Sequence, residues 1–167
     1  MVFTGKGKGK TTSALGLAFR AMGHNQKVCV IQFIKGNWKY GELESAKRFE
    51  GLMDFYVMGK GFTWQSENLE EDIKIAQEAW NFAKEKIGSG KYQMVILDEL
   101  TYLIKYNMVS EDEIISFLSN RPENLHIVVT GRDASARLIE IADLVTDMVS
   151  IKHPYDNGVK AQKGVEF

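Results

Sequence analysis

The chain has 167 residues, 44% of them hydrophobic and 26% charged, with a net charge of −1; this suits one soluble domain with a substantial core. A pI near 6.3 excludes the global basic field that draws proteins to nucleic acid or anionic membranes, and no apolar run approaches the roughly 18 residues of a membrane span. The single cysteine, Cys29, lies in the run VCVIQF and cannot form an intrachain disulfide, so it reads as a buried thiol in a reducing compartment. The opening MVFTG lacks the regions of a signal peptide, and a cytoplasmic location is the default expectation.

Strand-like and helical patterns alternate along the chain. Val2–Thr4 is a short strand, and Lys10–Met22 a helix with Leu15, Ala18, Phe19 and Met22 on one face and Gly23 as its stop. Residues 28–33 form a near-continuous apolar strand and residues 52–57 another. Residues 69–87 form the clearest helix, with Leu69, Ile73, Ala76, Trp80, Ala83 and Ile87 at helical spacing and Gly88 ending it. Residues 94–97 are a strand. Ser110 with Glu113 makes a capping box before a helix carrying Ile114, Ile115 and Leu118. His126–Thr130 is a strand, residues 134–142 a helix and residues 144–150 a last strand. The pattern implies an α/β fold, a mostly parallel twisted sheet with helices on both faces, as one domain over residues 1–167. Residues 35–41, 58–68 and 152–167 read as irregular, and long loops at strand ends are where such folds place their sites. The first strand is shorter than the usual five or so residues, so the natural chain is expected to begin before Met1.

The turn after the first strand carries GKGKGKTT, residues 5–12. A strand, a glycine-rich turn and Gly-Lys-Thr opening a helix form a phosphate-binding loop, which makes the fold P-loop NTPase-like. Gly5, Gly7 and Gly9 let successive backbone N–H groups face one anion, and the helix N-terminus adds free donors and partial positive charge. Lys10 reaches phosphate oxygens, Thr11 ligates magnesium, and Lys6, Lys8 and Thr12 complete the ATP-binding set. The loop departs from the usual spacing: three residues, not four, separate Gly5 from Gly9, and Thr4 stands where the first glycine is expected. The strand VIL followed by Asp98 and Glu99 is a Walker B arrangement, with carboxylates beside the metal. Glu99 is either a catalytic base activating water or a second metal partner; a solvated strand-end acid is the plain alternative. His24, His126 and His153 lack metal-ligand spacing, which argues against zinc.

Together with the shortened loop, QFIKG, GFTW, LDELTY, TGR and the closing KHPYDNGVKAQKGVEF resemble the ATP:corrinoid adenosyltransferases of cobalamin biosynthesis and salvage, over residues 4–167. The departure in loop spacing is the family's own pattern; the family's segment before the first strand has no counterpart here. The resemblance implies transfer of the 5′-deoxyadenosyl group of ATP to cob(I)alamin or a related cobalt(I) corrinoid, with triphosphate leaving and ATP held in reversed orientation. It implies magnesium, a homodimer and a flavoprotein reductant, with no nucleic-acid or membrane partner. It also places Phe62 and Trp64 against the corrin, where aromatics displace the lower axial ligand and ease reduction of cobalt(II). From the residues alone, Phe62 and Trp64 are aromatics in a polar loop, and core burial would be favoured. Lys10 and Glu99 are the catalytic candidates, and Arg20 and Arg132 resemble further nucleotide contacts, against the alternative of surface cations. Two other functions fit the phosphate loop taken alone: an ATPase or kinase with Glu99 as base, and a nucleotide-binding switch.

Overall fold

The computed structural model describes residues 1–34, 41–59 and 69–165. Six strands, β1 (Val2–Thr4), β2 (Val28–Gln32), β3 (Met53–Val57), β4 (Met94–Asp98), β5 (His126–Thr130) and β6 (Val145–Asp147), form one sheet in the order β3-β2-β4-β5-β1-β6. Every pairing is parallel. Parallel strands must be covered on both faces, and β2 and β4 meet this with near-continuous apolar sequence, buried at every position.

Side chains alternate between two cores. Val28 and Val30 of β2, Met94 and Ile96 of β4 and Val128 of β5 meet helix α1 (Lys10–Met22). Cys29, Ile31, Val95, Leu97, Ile127 and Val129 point the other way. There they meet α3 (Leu69–Gly88), α4 (Thr101–Lys105), α5 (Glu111–Ser119) and α6 (Ala136–Glu140). A further short helix, α2 (Gly41–Ala46), precedes β3. Cys29 is buried, as its sequence context implied, and burial pushes its thiol up to about 12.

Several expectations need correction. The buried stripe of α1 is Ala14, Ala18, Ala21 and Met22; Leu15 is only partly buried, and Phe19 is 67% exposed, edge-on to Phe49. The stripe centres on alanines because a helix packed directly on a sheet needs small contact residues. Phe19, one position and about 100° from Ala18, turns off that face. In α3, Leu69 is exposed and Ala79 joins the stripe. Ser110 makes no capping bond, and Glu113 instead accepts from the Trp80 indole N–H at 2.8 Å and the Lys84 ammonium at 2.7 Å. The capping box loses its acid to a tertiary partner. The last helix is shorter than expected because Ser135 caps it, accepting from Leu138 N–H. Helices α2 and α4, each of five or six residues, are too short to show a period in sequence.

The strand order positions the site. β5 lies between β1 and β4, so the end of β5 stands between the loop leaving β1 and the acid ending β4. The chain crosses β5 and β4 on its way from β1 to β2, which makes this edge a switch point where α/β sheets bind ligands.

Candidate functional site

The loop between β1 and α1 folds tightly against the segment after β6. Gly5 has φ +98°, and a Cβ there would fall on the Asp147 carboxylate and the Met148 backbone, so both the left-handed conformation and the close approach require glycine. Gly7 N–H donates to Met148 O at 2.6 Å, and Met148 N–H to Thr4 O at 2.9 Å. Lys10 Nζ donates to Gly5 O at 2.8 Å and Gly7 O at 2.7 Å, closing the loop around its own ammonium. Burial, and then the nearby Arg132 charge, hold the Lys10 amine below the ordinary lysine value; Glu99, Asp98 and Asp147 oppose the shift.

Asp98 ends β4 fully buried. Thr11 Oγ1 donates to its Oδ1 at 2.8 Å, joining α1 to β4 across 87 residues of sequence. Glu99, half-buried, follows in the left-handed region at φ +67°. Such a conformation in a non-glycine residue is strained and concentrates at functional sites.

These parts line one cleft of about 370 Å³, formed by residues 6–12 with Glu42, Glu99, Tyr102, Thr130, Gly131, Arg132, His153 and Val165. The geometry therefore brings together Lys6, Gly7, Lys8, Gly9, Lys10, Thr11, Thr12, Glu99 and Arg132, with Asp98 behind Thr11. Gly5 shapes the loop from its outer side. Arg20 is exposed in the last turn of α1, about 15 Å along the helix from Lys10 at 1.5 Å per residue, and does not line the cleft. Phe62 and Trp64 lie outside the described residues. Among the described residues no cluster of three or more His, Cys, Asp or Glu could hold a metal by itself. The donors here are a hydroxyl and carboxylates, hard oxygens that suit magnesium shared with phosphates rather than caged by protein.

Sequence reasoning did not single out Glu42, Tyr102 or His153 as site residues. Tyr102 and His153 sit in LDELTY and KHPY, strings already quoted as motifs. His153 Nδ1 accepts from Tyr155 N–H at 3.1 Å, which leaves Nε2 as the N–H of the neutral ring. Gly131, at φ +141°, abuts the Thr101 side chain, and a Cβ there would overlap its hydroxyl. That contact seats the strand end that carries Arg132.

Comparison with known proteins fits this geometry. The family described as ATP:corrinoid adenosyltransferase BtuR/CobO/CobP matches residues 1–167. Proteins named corrinoid adenosyltransferase are 45% identical in Sinorhizobium sp, covering 100% of this chain and 79% of that protein, and 42% identical in Escherichia coli K12, covering 100% and 84%. The Pseudomonas aeruginosa protein of that name is 43% identical, covering 100% and 82%. Among solved structures, the flagellar accessory protein FlaH from Methanocaldococcus jannaschii aligns with a TM-score of 0.58 at 11% identity, covering 87% of this chain and 68% of that one. That likeness is one of fold, a P-loop NTPase-like sheet. A phosphate loop closed on its own lysine, an acid-tipped neighbouring strand and a family match along the full length agree: the chain belongs to the ATP:corrinoid adenosyltransferases.

Proposed function

We propose that this chain transfers the 5′-deoxyadenosyl group of ATP to a cobalt(I) corrinoid, releasing triphosphate, in cobalamin biosynthesis or salvage. The observation that carries the reading is the convergence of Lys6, Lys8, Lys10 and Arg132 on one cleft with the Thr11–Asp98 pair. Cobalt(I) is already a strong nucleophile, so no general base is required. As the Co–C5′ bond forms, the C5′–O bond breaks and its electron pair leaves on the triphosphate. The protein must align the reactants and neutralise the leaving polyanion. The loop N–H groups, the α1 N-terminus and the four cations serve the second demand.

Magnesium, when bound, would supply charge neutralisation on the triphosphate. Thr11 and Asp98 would hold it, because a hydroxyl whose proton is directed to Asp98 keeps its lone pairs for a cation; Glu99 stands beside them. The family resemblance gives Phe62 and Trp64 the role of aromatics against the corrin. Replacing either by alanine should slow reaction from cobalt(II) more than from pre-formed cobalt(I); equal slowing would remove that role. The working protein is a single-domain homodimer of the cytoplasm, served by a flavoprotein reductant.

Hydrolysis with Glu99 as base is the competing reading, since Glu99 lines the same cleft. The two differ in products. Anaerobic incubation with ATP, magnesium and chemically reduced cobalamin should yield triphosphate and a light-sensitive Co–C chromophore in equal amounts, and Lys10→Ala should abolish both. ADP and phosphate without alkylation would overturn the transferase reading.

A further inference from the structure

Among the described residues Asp98 is held from three sides, and one of the holders belongs to the phosphate loop and its helix. Thr11 and Thr130 donate to Oδ1, at 2.8 Å and 2.6 Å, and Gln32 Nε2 donates to Oδ2 at 2.9 Å. Gln32 and Thr130 are 1% and 0% exposed. They come from β2 and β5, the strands flanking β4, and the parallel register sets Gln32 directly beside Asp98. Thr130 Oγ1 also accepts the Glu99 N–H at 3.0 Å, so a single hydroxyl ties the Asp98 carboxylate to the left-handed backbone of Glu99.

Among the described residues Gln32 Oε1 is buried without a partner. An apolar side chain would fill that place without orphaning an oxygen, so the amide's remaining bond, to Asp98, is its reason to be there. A buried carboxylate needs donors around it to stay charged. Gln32 supplies one without adding charge, whereas a glutamate would force two carboxylates to share a proton.

We propose that Gln32 and Thr130 are positioning residues that fix the Asp98 carboxylate for a divalent cation on the triphosphate, with Thr130 also fixing the Glu99 turn. The inference rests on the reading of the cleft as a magnesium–triphosphate site. The test is calorimetric ATP binding without corrinoid, in magnesium and in chelator, for wild type, Gln32→Leu, Thr130→Val and Thr130→Ser. Outer-shell partners of metal sites typically carry about 10- to 100-fold in affinity. In Gln32→Leu and Thr130→Val the strengthening of ATP binding by magnesium should therefore fall about tenfold or vanish, and for Gln32→Leu, at a position that does not line the cleft, chelator binding should stay within about twofold of wild type. Thr130→Ser, which keeps the hydroxyl, should retain most of it. ATP binding retained in chelator shows that a variant is folded, so loss of stability cannot imitate a loss confined to magnesium. Strengthening equal to wild type in Gln32→Leu and Thr130→Val overturns the positioning role alone. Absence of any strengthening in wild type overturns the reading of the site, and this inference with it.

Discussion

The two faces of the sheet differ in how many large side chains they bury. On the α1 face the helix contributes Ala14, Ala18, Ala21 and Met22; on the opposite face α3 also contributes Ala76, Ala79 and Ala83, but there Trp80, Leu97, Leu100, Leu103 and Ile114 fill the space. Small residues let the α1 backbone approach the strands, which brings its first turn, with Lys10 and Thr11, up to Asp98. Large residues on the other face bury the area that stabilises the fold, since burial contributes about 25 cal/mol per Å² of apolar surface. Placement of the nucleotide elements and stability are thus carried on separate sides of one sheet.

The largest expected effect is on the heavy face. Trp80 is 1% exposed, edge-on to Phe117 at 5.5 Å, and donates to Glu113. Trp80→Ala should cost about 3–5 kcal/mol in urea unfolding, while ATP affinity per folded molecule stays at the wild-type value. A parallel loss of affinity would break the separation. Next comes the light face. Ala18→Leu overpacks the α1 seam and should cost about 1–3 kcal/mol, but here ATP affinity should fall as well, because the helix start moves away from Asp98. Stability lost with affinity intact would show that α1 closeness is not what positions Lys10.

A pH effect follows from Lys10. Its amine is held below the ordinary lysine value by burial and by Arg132. Charged Lys10 therefore disfavours the folded state, and that cost fades as pH rises through the lowered folded pKa. Phosphate binding runs the other way: ATP affinity should weaken over the same alkaline window. Lys10→Arg should remove this pH dependence, since arginine stays charged; a persisting dependence would assign it to another group. The smallest effect is expected at Phe19→Ser, which should change stability by no more than about 0.5 kcal/mol, because Phe19 lies off the seam.

Much of the fold was legible because β2, β4 and β5 are buried on both faces and read as apolar runs. Features that depend on partners distant in sequence were not. Phe19 looked like a core residue by spacing, yet the alanines beside it win the seam for steric reasons invisible along the chain. Glu113 had the spacing of a cap, but Trp80, 33 residues earlier, takes it. In the site, the loop, Asp98, Glu99 and Arg132 were readable from local motifs. The contributions of Gln32 and Thr130 were not, because they arise from strand order and register: each is an ordinary strand-end residue until β2 and β5 flank β4.

In the proposed reaction the cleft holds the triphosphate as a leaving group. ATP carrying oxygen-18 in the bridge between C5′ and the α-phosphorus tests it most directly, with the products read by phosphorus NMR after reaction with reduced corrinoid. The expected product is triphosphate that keeps the heavy oxygen on its former α-phosphorus, in equal amount to the Co–C product. Labelled ADP with inorganic phosphate, and no Co–C bond, would contradict it.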